Sequence, residues 1–395
     1  MGDHSNVGRQ QTLTSVTDRG KKATSQDTDD RREKRPASSE RQHFATLDGL
    51  RGIAAIVVVI FHDLSPFDLD SLIPHAPLAV DFFFCLSGFV VAYAYEKRLL
   101  GTMSFTDFVA VRIIRLYPLI LAGLLLGAAV FVLRAELLHH EFAFTPNFFI
   151  VLILEALSLP CPPILGEAWP VLMPIDPPAW SLFFEFLASF LFAAFVSRLS
   201  KSVTTILLIF GAIIVFGQAG ILGGVRGGNS WAALWGGFGR VFFPFLCGVF
   251  LYRNWKISPA GGGKAKCSLI VPISLVVLLL CPVPSSANWI YESLAVVVGF
   301  PLIIRAGALD APGPRMTSFY LFLGRLSYPL YILHYPLIRI FGSFARAHDI
   351  HNIGIFLLSI AELLSAVGLS LLMLKFYDEP VRAWLTRRWR SLRAT

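Results

Sequence analysis

An arginine and a histidine share one face of an apolar helix in this chain. The stretch runs from Leu47-Asp48-Gly49-Leu50-Arg51-Gly52 through Ile60-Phe61-His62. Arg51 and His62 are eleven residues apart, which on an α-helix is about three turns plus roughly 20°, so both side chains point the same way. Their axial separation is roughly 16 Å, near half the thickness of a hydrocarbon core. A guanidinium clamps phosphates and carboxylates, and an imidazole takes and returns protons near neutral pH. A charge and a base on one stripe of a membrane helix are costly to bury and point to function.

Three further groups could join that base. Glu185 follows Trp180-Ser181-Leu182, His334 ends Ser327-Tyr328-Pro329-Leu330-Tyr331-Ile332-Leu333, and Asp81 opens an apolar run through Ser87-Gly88-Phe89. Asp63 is a poor orienter for His62, because adjacent helix side chains diverge by roughly 100°. Asp81 or Glu185 is better suited. His334 shares a face with Ser327 and Tyr331, a stripe that reads more often as packing than as catalysis. Ser87-Gly88 reads as a close helix contact through small residues, and a lone transmembrane histidine often only bridges helices. Arg112 and Arg115 are three apart and share a helix face. With Arg51 they either clamp phosphates or anchor to lipid headgroups.

The elements that must position these groups are membrane helices. Hydrophobic residues make up 55% of the 395, too much apolar surface in long runs for a soluble protein. The runs are roughly 47–64, 78–95, 113–133, 147–159, 180–197, 203–217, 231–252, 268–282, 289–305, 317–341 and 354–376. Run 147–159 is short and precedes a proline-rich stretch, as re-entrant or interfacial segments do. If it does not span, the basic residues Lys97, Arg98, Arg112, Arg198, Lys201, Arg253, Lys256, Lys264, Lys266, Arg305, Arg315 and those from Arg382 onward share one side with the basic N-terminal tail. The positive-inside rule then predicts ten transmembrane helices plus one short re-entrant or interfacial segment, an all-α membrane protein with both termini cytoplasmic. His62, Asp81, Glu185 and His334 fall in the outer half. Arg51, Arg112 and Arg115 fall at the cytoplasmic mouth.

Other classes are excluded or weakened. The net charge of +8 comes from loop residues obeying that rule, and no basic motif for nucleic acid is present. The five cysteines (Cys85, Cys161, Cys247, Cys267, Cys281) have no metal spacing and read as inert packing groups. No metal site is expected. GxSxG, HExxH, CxxC and phosphate-loop patterns are absent from the sequence. Residues 1–42 are polar and charged and read as a disordered cytoplasmic tail with no secretory leader. Residues 383–395 are a basic cytoplasmic segment rich in Trp and Arg, either an amphipathic anchor on the inner leaflet or a solvated tail.

The chain resembles the acyltransferase 3 family of integral membrane O-acyltransferases over nearly all of residues 45–385, with the membrane domain placed at 43–382. The likeness rests on Arg51 and His62 in Leu47 to Ala55 and beyond, Asp81-Phe82-Phe83-Phe84 with Ser87-Gly88-Phe89, and Arg112-Ile113-Ile114-Arg115-Leu116-Tyr117-Pro118. It continues with Trp180-Ser181-Leu182 and Glu185, Ser327 to His334, and Tyr377-Asp378-Glu379-Pro380-Val381-Arg382. It implies acyl transfer, commonly of acetyl from acetyl-CoA, to a hydroxyl of a carbohydrate or glycolipid. It implies an essential His62, and a donor-binding or core-holding role for Arg112 and Arg115. Family members often carry two acidic residues after Trp-Ser-Leu; here Phe186 follows Glu185. No esterase-like domain, which some members carry, is expected within these 395 residues.

The expected mechanism follows. Arg51, Arg112 and Arg115 hold the phosphates of acyl-CoA, a co-substrate rather than a permanently bound cofactor. The pantetheine arm runs from Arg51 to His62, which acts as general base or acyl carrier. Glu185 or Asp81 fixes its tautomer, and Tyr331 or His334 donates to the oxyanion. A bacterial inner membrane is the expected location. The alternative is a transporter or exporter of a sugar or lipid intermediate, which fits intramembrane charges without catalysis but more often shows inverted repeats. A non-catalytic sensor or scaffold is a third reading.

Overall fold

The computed structural model describes residues 43–137, 145–165, 171–254, 269–351 and 353–394. The polar stretch 1–42, Cys267 and the lysines at 256, 264 and 266 lie outside the described residues. The helices are α1 (Ala45–Leu64), α2 (Ala79–Leu99), α3 (Phe105–Leu137), α4 (Pro146–Ala156), α5 (Trp180–Phe195), α6 (Lys201–Leu222) and α7 (Leu234–Asn254). They continue as α8 (Ile270–Leu280), α9 (Asn288–Leu294), α10 (Phe300–Leu309), α11 (Pro314–Ala347), α12 (Ile353–Met373) and α13 (Glu379–Ala394). A π-helical turn at Ala295–Gly299 joins α9 to α10, and another at Leu374–Asp378 joins α12 to α13. Among the described residues there is no strand, only an isolated bridge between Val171 and Ser230.

Eight of these stretches are long and apolar enough to cross a membrane, where ten are expected from the sequence. The two that fall short do so for different reasons. Helix α11 has 34 residues, ample length, but Arg315, Arg325, Arg339 and Arg346 lower its hydropathy. Helix α8 has 11 described residues, roughly 16 Å of rise. The run predicted not to span forms α4, also 11 residues, started by Thr145, whose side chain accepts from the Phe148 amide at 3.3 Å.

Residues Phe44–Thr395 form one compact unit with α1 at its centre, packed chiefly on α11. The glycines of the first motif make that contact possible. A Cβ on Gly52 would lie 2.5 Å from the Leu323 Cβ, so α1 and α11 approach at a distance that only a missing side chain allows. Gly88 does the same for α2, seated against the Phe245 backbone of α7, as predicted for Ser87-Gly88. The phenylalanines Phe82, Phe84, Phe89, Phe184, Phe245 and Phe300 fill the interior. Helices α6 and α12 are the outer wall: only 17% of each apolar window is buried, and Ile206, Ile209, Phe210, Ile213, Phe356 and Leu364 face outward. In water such a surface would cost about 25 cal/mol per Å²; in lipid it costs nothing. Helix α13 folds back on the start of α3, where Arg393 bonds Asp107 at 2.7 Å and Ser104 at 3.0 Å.

Candidate active site

Two contacts tie α1 to α11 along the predicted stripe. At one end the Arg51 guanidinium donates to Ser327 Oγ at 2.9 Å and to the Gly324 carbonyl at 3.0 Å, and pairs with Asp48 at 2.5 Å. At the other, His62 Nδ1 lies 2.9 Å from His334 Nε2. Both side chains therefore face the same partner helix. The two helices run parallel, so one polar track crosses the bundle between them. Asp63, one residue on, turns instead toward Glu362 of α12, as the divergence of adjacent side chains requires.

The histidine pair has a direction. His334 is fully buried, and its Nδ1 lies 3.1 Å from the Leu330 carbonyl. A carbonyl can only accept, so Nδ1 carries the proton. In the neutral ring Nε2 is then a lone pair, and His62 Nδ1 must be the donor to it. The proton of His62 is thereby held on Nδ1, and its Nε2 is left as the acceptor. That nitrogen has no hydrogen-bond partner among the described residues, and His62 is only partly buried. The ring of Tyr335 stands edge-on to His62, centroids 5.6 Å apart.

This geometry corrects four expected roles. Asp81 does not orient His62: it is fully buried and forked by Arg240, with Arg240 Nη2 at 2.6 Å and Nε at 3.2 Å from its oxygens. Arg240 also bonds the Pro77 and Gly227 carbonyls and lies 5.3 Å over the Trp180 ring. Glu185 does not orient it either: its Oε1 accepts from Arg112 at 2.6 Å and from Ser87 at 2.8 Å. Tyr331 is not a free oxyanion donor. Its hydroxyl, that of Ser181 and the Pro178 carbonyl form a closed set of contacts at 2.8, 3.1 and 3.2 Å, which consumes both protons. His334 is not one either, because its single N–H is held by Leu330. The physical reason is common to all four: a buried polar group in lipid takes the nearest complementary partner, and depth alone does not say which that is.

The three expected phosphate ligands do gather, since Arg115 lies within electrostatic reach of both Arg51 and Arg112. Their states differ. Arg51 is paired with Asp48 and Arg112 with Glu185. Arg115 is exposed and forms no ion pair among the described residues, though Glu185 and Asp378 lie within its electrostatic reach. Among the described residues no group of three or more His, Cys, Asp or Glu is placed to hold a metal ion.

Sequence reading missed Arg240, Tyr335, Glu155 and Asp176. Arg240 had a signal: it is an ionisable residue inside run 231–252, the criterion that singled out His62. Glu155 sits in α4 and accepts from the Ile175 and Asp176 amides at 2.7 and 3.1 Å, closing the loop onto the bundle. Burial pushes its carboxyl up to about 7, against those two bonds. Nothing local in the sequence announces that contact.

Comparison with known proteins bears on the whole unit. The acyltransferase domain family matches residues 44–375, which includes both ends of the polar track. Protein 2 in the picA locus of Rhizobium radiobacter is 35% identical over 193 residues, covering 45% of this chain and 96% of that protein. No solved structure matches. The chain spans Arg51, His62, Arg112, Arg115, Glu185 and His334 within the matched segment, and it belongs to the acyltransferase 3 family of membrane acyltransferases.

Proposed function

We propose that this protein moves an acyl group, acetyl by default, from acyl-CoA to a hydroxyl of a carbohydrate or glycolipid acceptor, with His62 as general base. The observation that carries the reading is the directed His62–His334 pair, which leaves His62 Nε2 as a proton acceptor on the same stripe as Arg51. In the step envisaged, Nε2 takes the proton of the acceptor hydroxyl as its oxygen attacks the thioester carbonyl. The carbon–sulfur bond breaks, and the thiolate leaves with the proton returned from the imidazolium. His334 is a positioning residue that holds the tautomer, the part expected of a carboxylate.

Arg115, aided by Arg51 and Arg112, binds the donor phosphates, and the pantetheine arm lies along the α1–α11 track. The roughly 16 Å between Arg51 and His62 suits such an arm. We place the Arg51 end in the cytoplasm of a bacterial inner membrane, with both termini inside. The ten crossings are α1, α2, α3, α5, α6, α7, α8, α9–α10, α11 and α12. Charge supports this side assignment: Arg98, Arg198, Arg253 and Arg305 share the Arg51 end. A donor inside and an acceptor outside explain why the chemistry sits in a membrane.

The test is acyl transfer by purified protein. Product formation should depend on acyl-CoA and vanish in His62→Ala at equal membrane expression. Transfer at the wild-type rate by His62→Ala refutes the assignment. Translocation of acceptor without any acyl-CoA dependence favours the exporter.

A further inference from the structure

Three guanidinium groups gather at the His62 end, and the reaction outlined above uses none of them. Arg134 lies in the last turn of α3, and Arg339 and Arg346 lie in the last turns of α11. Arg134 is within electrostatic reach of both others. Its Nε is buried and has no hydrogen-bond partner among the described residues. None of the three forms an ion pair there with a carboxylate. Arg339 commits two donors to the carbonyls of Pro174 and Ile175, at 2.7 and 3.2 Å, and lies 5.2 Å over the ring of Tyr335. That same ring stands edge-on to His62. The cluster thus begins one aromatic ring away from the base.

Like charges so placed repel, and partly buried ones lack water to compensate. Glu155 and Asp176 lie within electrostatic reach of Arg339, whereas the charges acting on Arg134 are those of Arg339 and Arg346. Both oxygens of Glu155 are filled by backbone amides. Burial pushes the Asp176 carboxyl well above the ordinary carboxylate range, against the pull of Arg339. The positive-inside rule explains arginines at the opposite end and leaves these three unexplained.

We propose that Arg134, Arg339 and Arg346 bind an oxyanion of the acceptor, which therefore carries a phosphate or carboxylate besides the hydroxyl that reaches His62. The proposal rests on the acyltransferase reading and names its substrate class. Guanidinium forks match both oxyanions bidentately. An anionic lipid headgroup offers the same chemistry, and the experiment separates the two.

Full-length protein in phosphatidylcholine nanodiscs, saturated with CoA to fill the Arg51 end, is titrated with inorganic pyrophosphate and followed by thermal stability. The wild type is stabilised. The Arg134→Gln/Arg346→Gln variant needs about tenfold more pyrophosphate for the same shift, the loss of one or two charge-assisted bonds. Exposed Arg346→Gln alone, which leaves the fold untouched, weakens the response in the same direction. An unstabilised wild type, or equal responses from wild type and both variants, overturns the proposal. Phosphatidylglycerol is the second arm: if adding it to the nanodiscs abolishes the wild-type response, the site belongs to lipid and the acceptor assignment falls. His62→Ala should still bind pyrophosphate, so loss of catalysis and loss of this site are read separately.

Discussion

His62 Nδ1 and His334 Nε2 lie 2.9 Å apart, and the Leu330 carbonyl beneath His334 decides which nitrogen of each ring is protonated. A residue one turn earlier on α11 thus fixes the tautomer of a ring on α1. In the proposed reaction this relay takes the part of the carboxylate that usually orients a catalytic imidazole.

The first prediction separates the two histidines. His62→Ala should lower the acyl-transfer rate by about 100-fold or more, the typical contribution of a general base. His334→Ala should lower kcat similarly while leaving the KM for acyl-CoA unchanged. His334→Gln, whose side-chain carbonyl can accept from His62 Nδ1, should recover much of the rate. Identical kinetics for His334→Ala and wild type would remove the relay.

The paired and unpaired arginines should behave differently. Arg115→Gln should raise the KM for acyl-CoA by about tenfold with the protein fully folded. Arg112→Gln leaves Glu185 uncompensated, so it should lower the yield of folded protein, and adding Glu185→Gln should restore part of it. Yields that are additive across the cycle would show that the Arg112–Glu185 contact carries no coupling.

Asp81 and Arg240 are predicted to be structural. Removing one partner of this buried, forked pair should cost about 3–5 kcal/mol. Asp81→Asn should therefore lower the Tm of the solubilised protein markedly. The fraction that remains folded should keep the wild-type KM for acyl-CoA. A catalytic Asp81 would show the opposite pattern, an inactive protein of normal stability.

Glu155 makes the α4–α5 connection pH-sensitive. Its carboxyl is raised from 4.5 to about 7 by burial, so the fold prefers the protonated form. Its stabilising contribution is complete below 4.5 and is lost as pH rises through about 7. Amide exchange at Ile175 and Asp176 should accelerate over that window, beyond the intrinsic base-catalysed rise, and Glu155→Gln should flatten the excess. An unchanged pH profile in the variant would exclude Glu155 as the titrating group.

Much was legible locally. The helices follow from apolar runs, the short α4 from its length and following prolines, and the shared face of Arg51 and His62 from helical periodicity alone. These are properties of a backbone with a fixed repeat, which a linear string displays directly. Pairing was not legible. By sequence alone Asp81, Glu185 and His334 are all expected at similar depth to His62, so each is a plausible partner. Packing chose His334, gave Asp81 to Arg240 and gave Glu185 to Arg112.

The amino-acid order by itself determined a helical membrane protein with a cation and a base on one stripe, because hydropathy and the 3.6-residue repeat act within a single segment. Only the tertiary structure decided which nitrogen of His62 is left as an acceptor, which of the three arginines near Arg51 forms no ion pair among the described residues, and that three more arginines crowd the far mouth. Those outcomes depend on side chains up to 272 residues apart meeting in a medium without water. There each polar group must be satisfied by whichever neighbour the helix packing brings within reach.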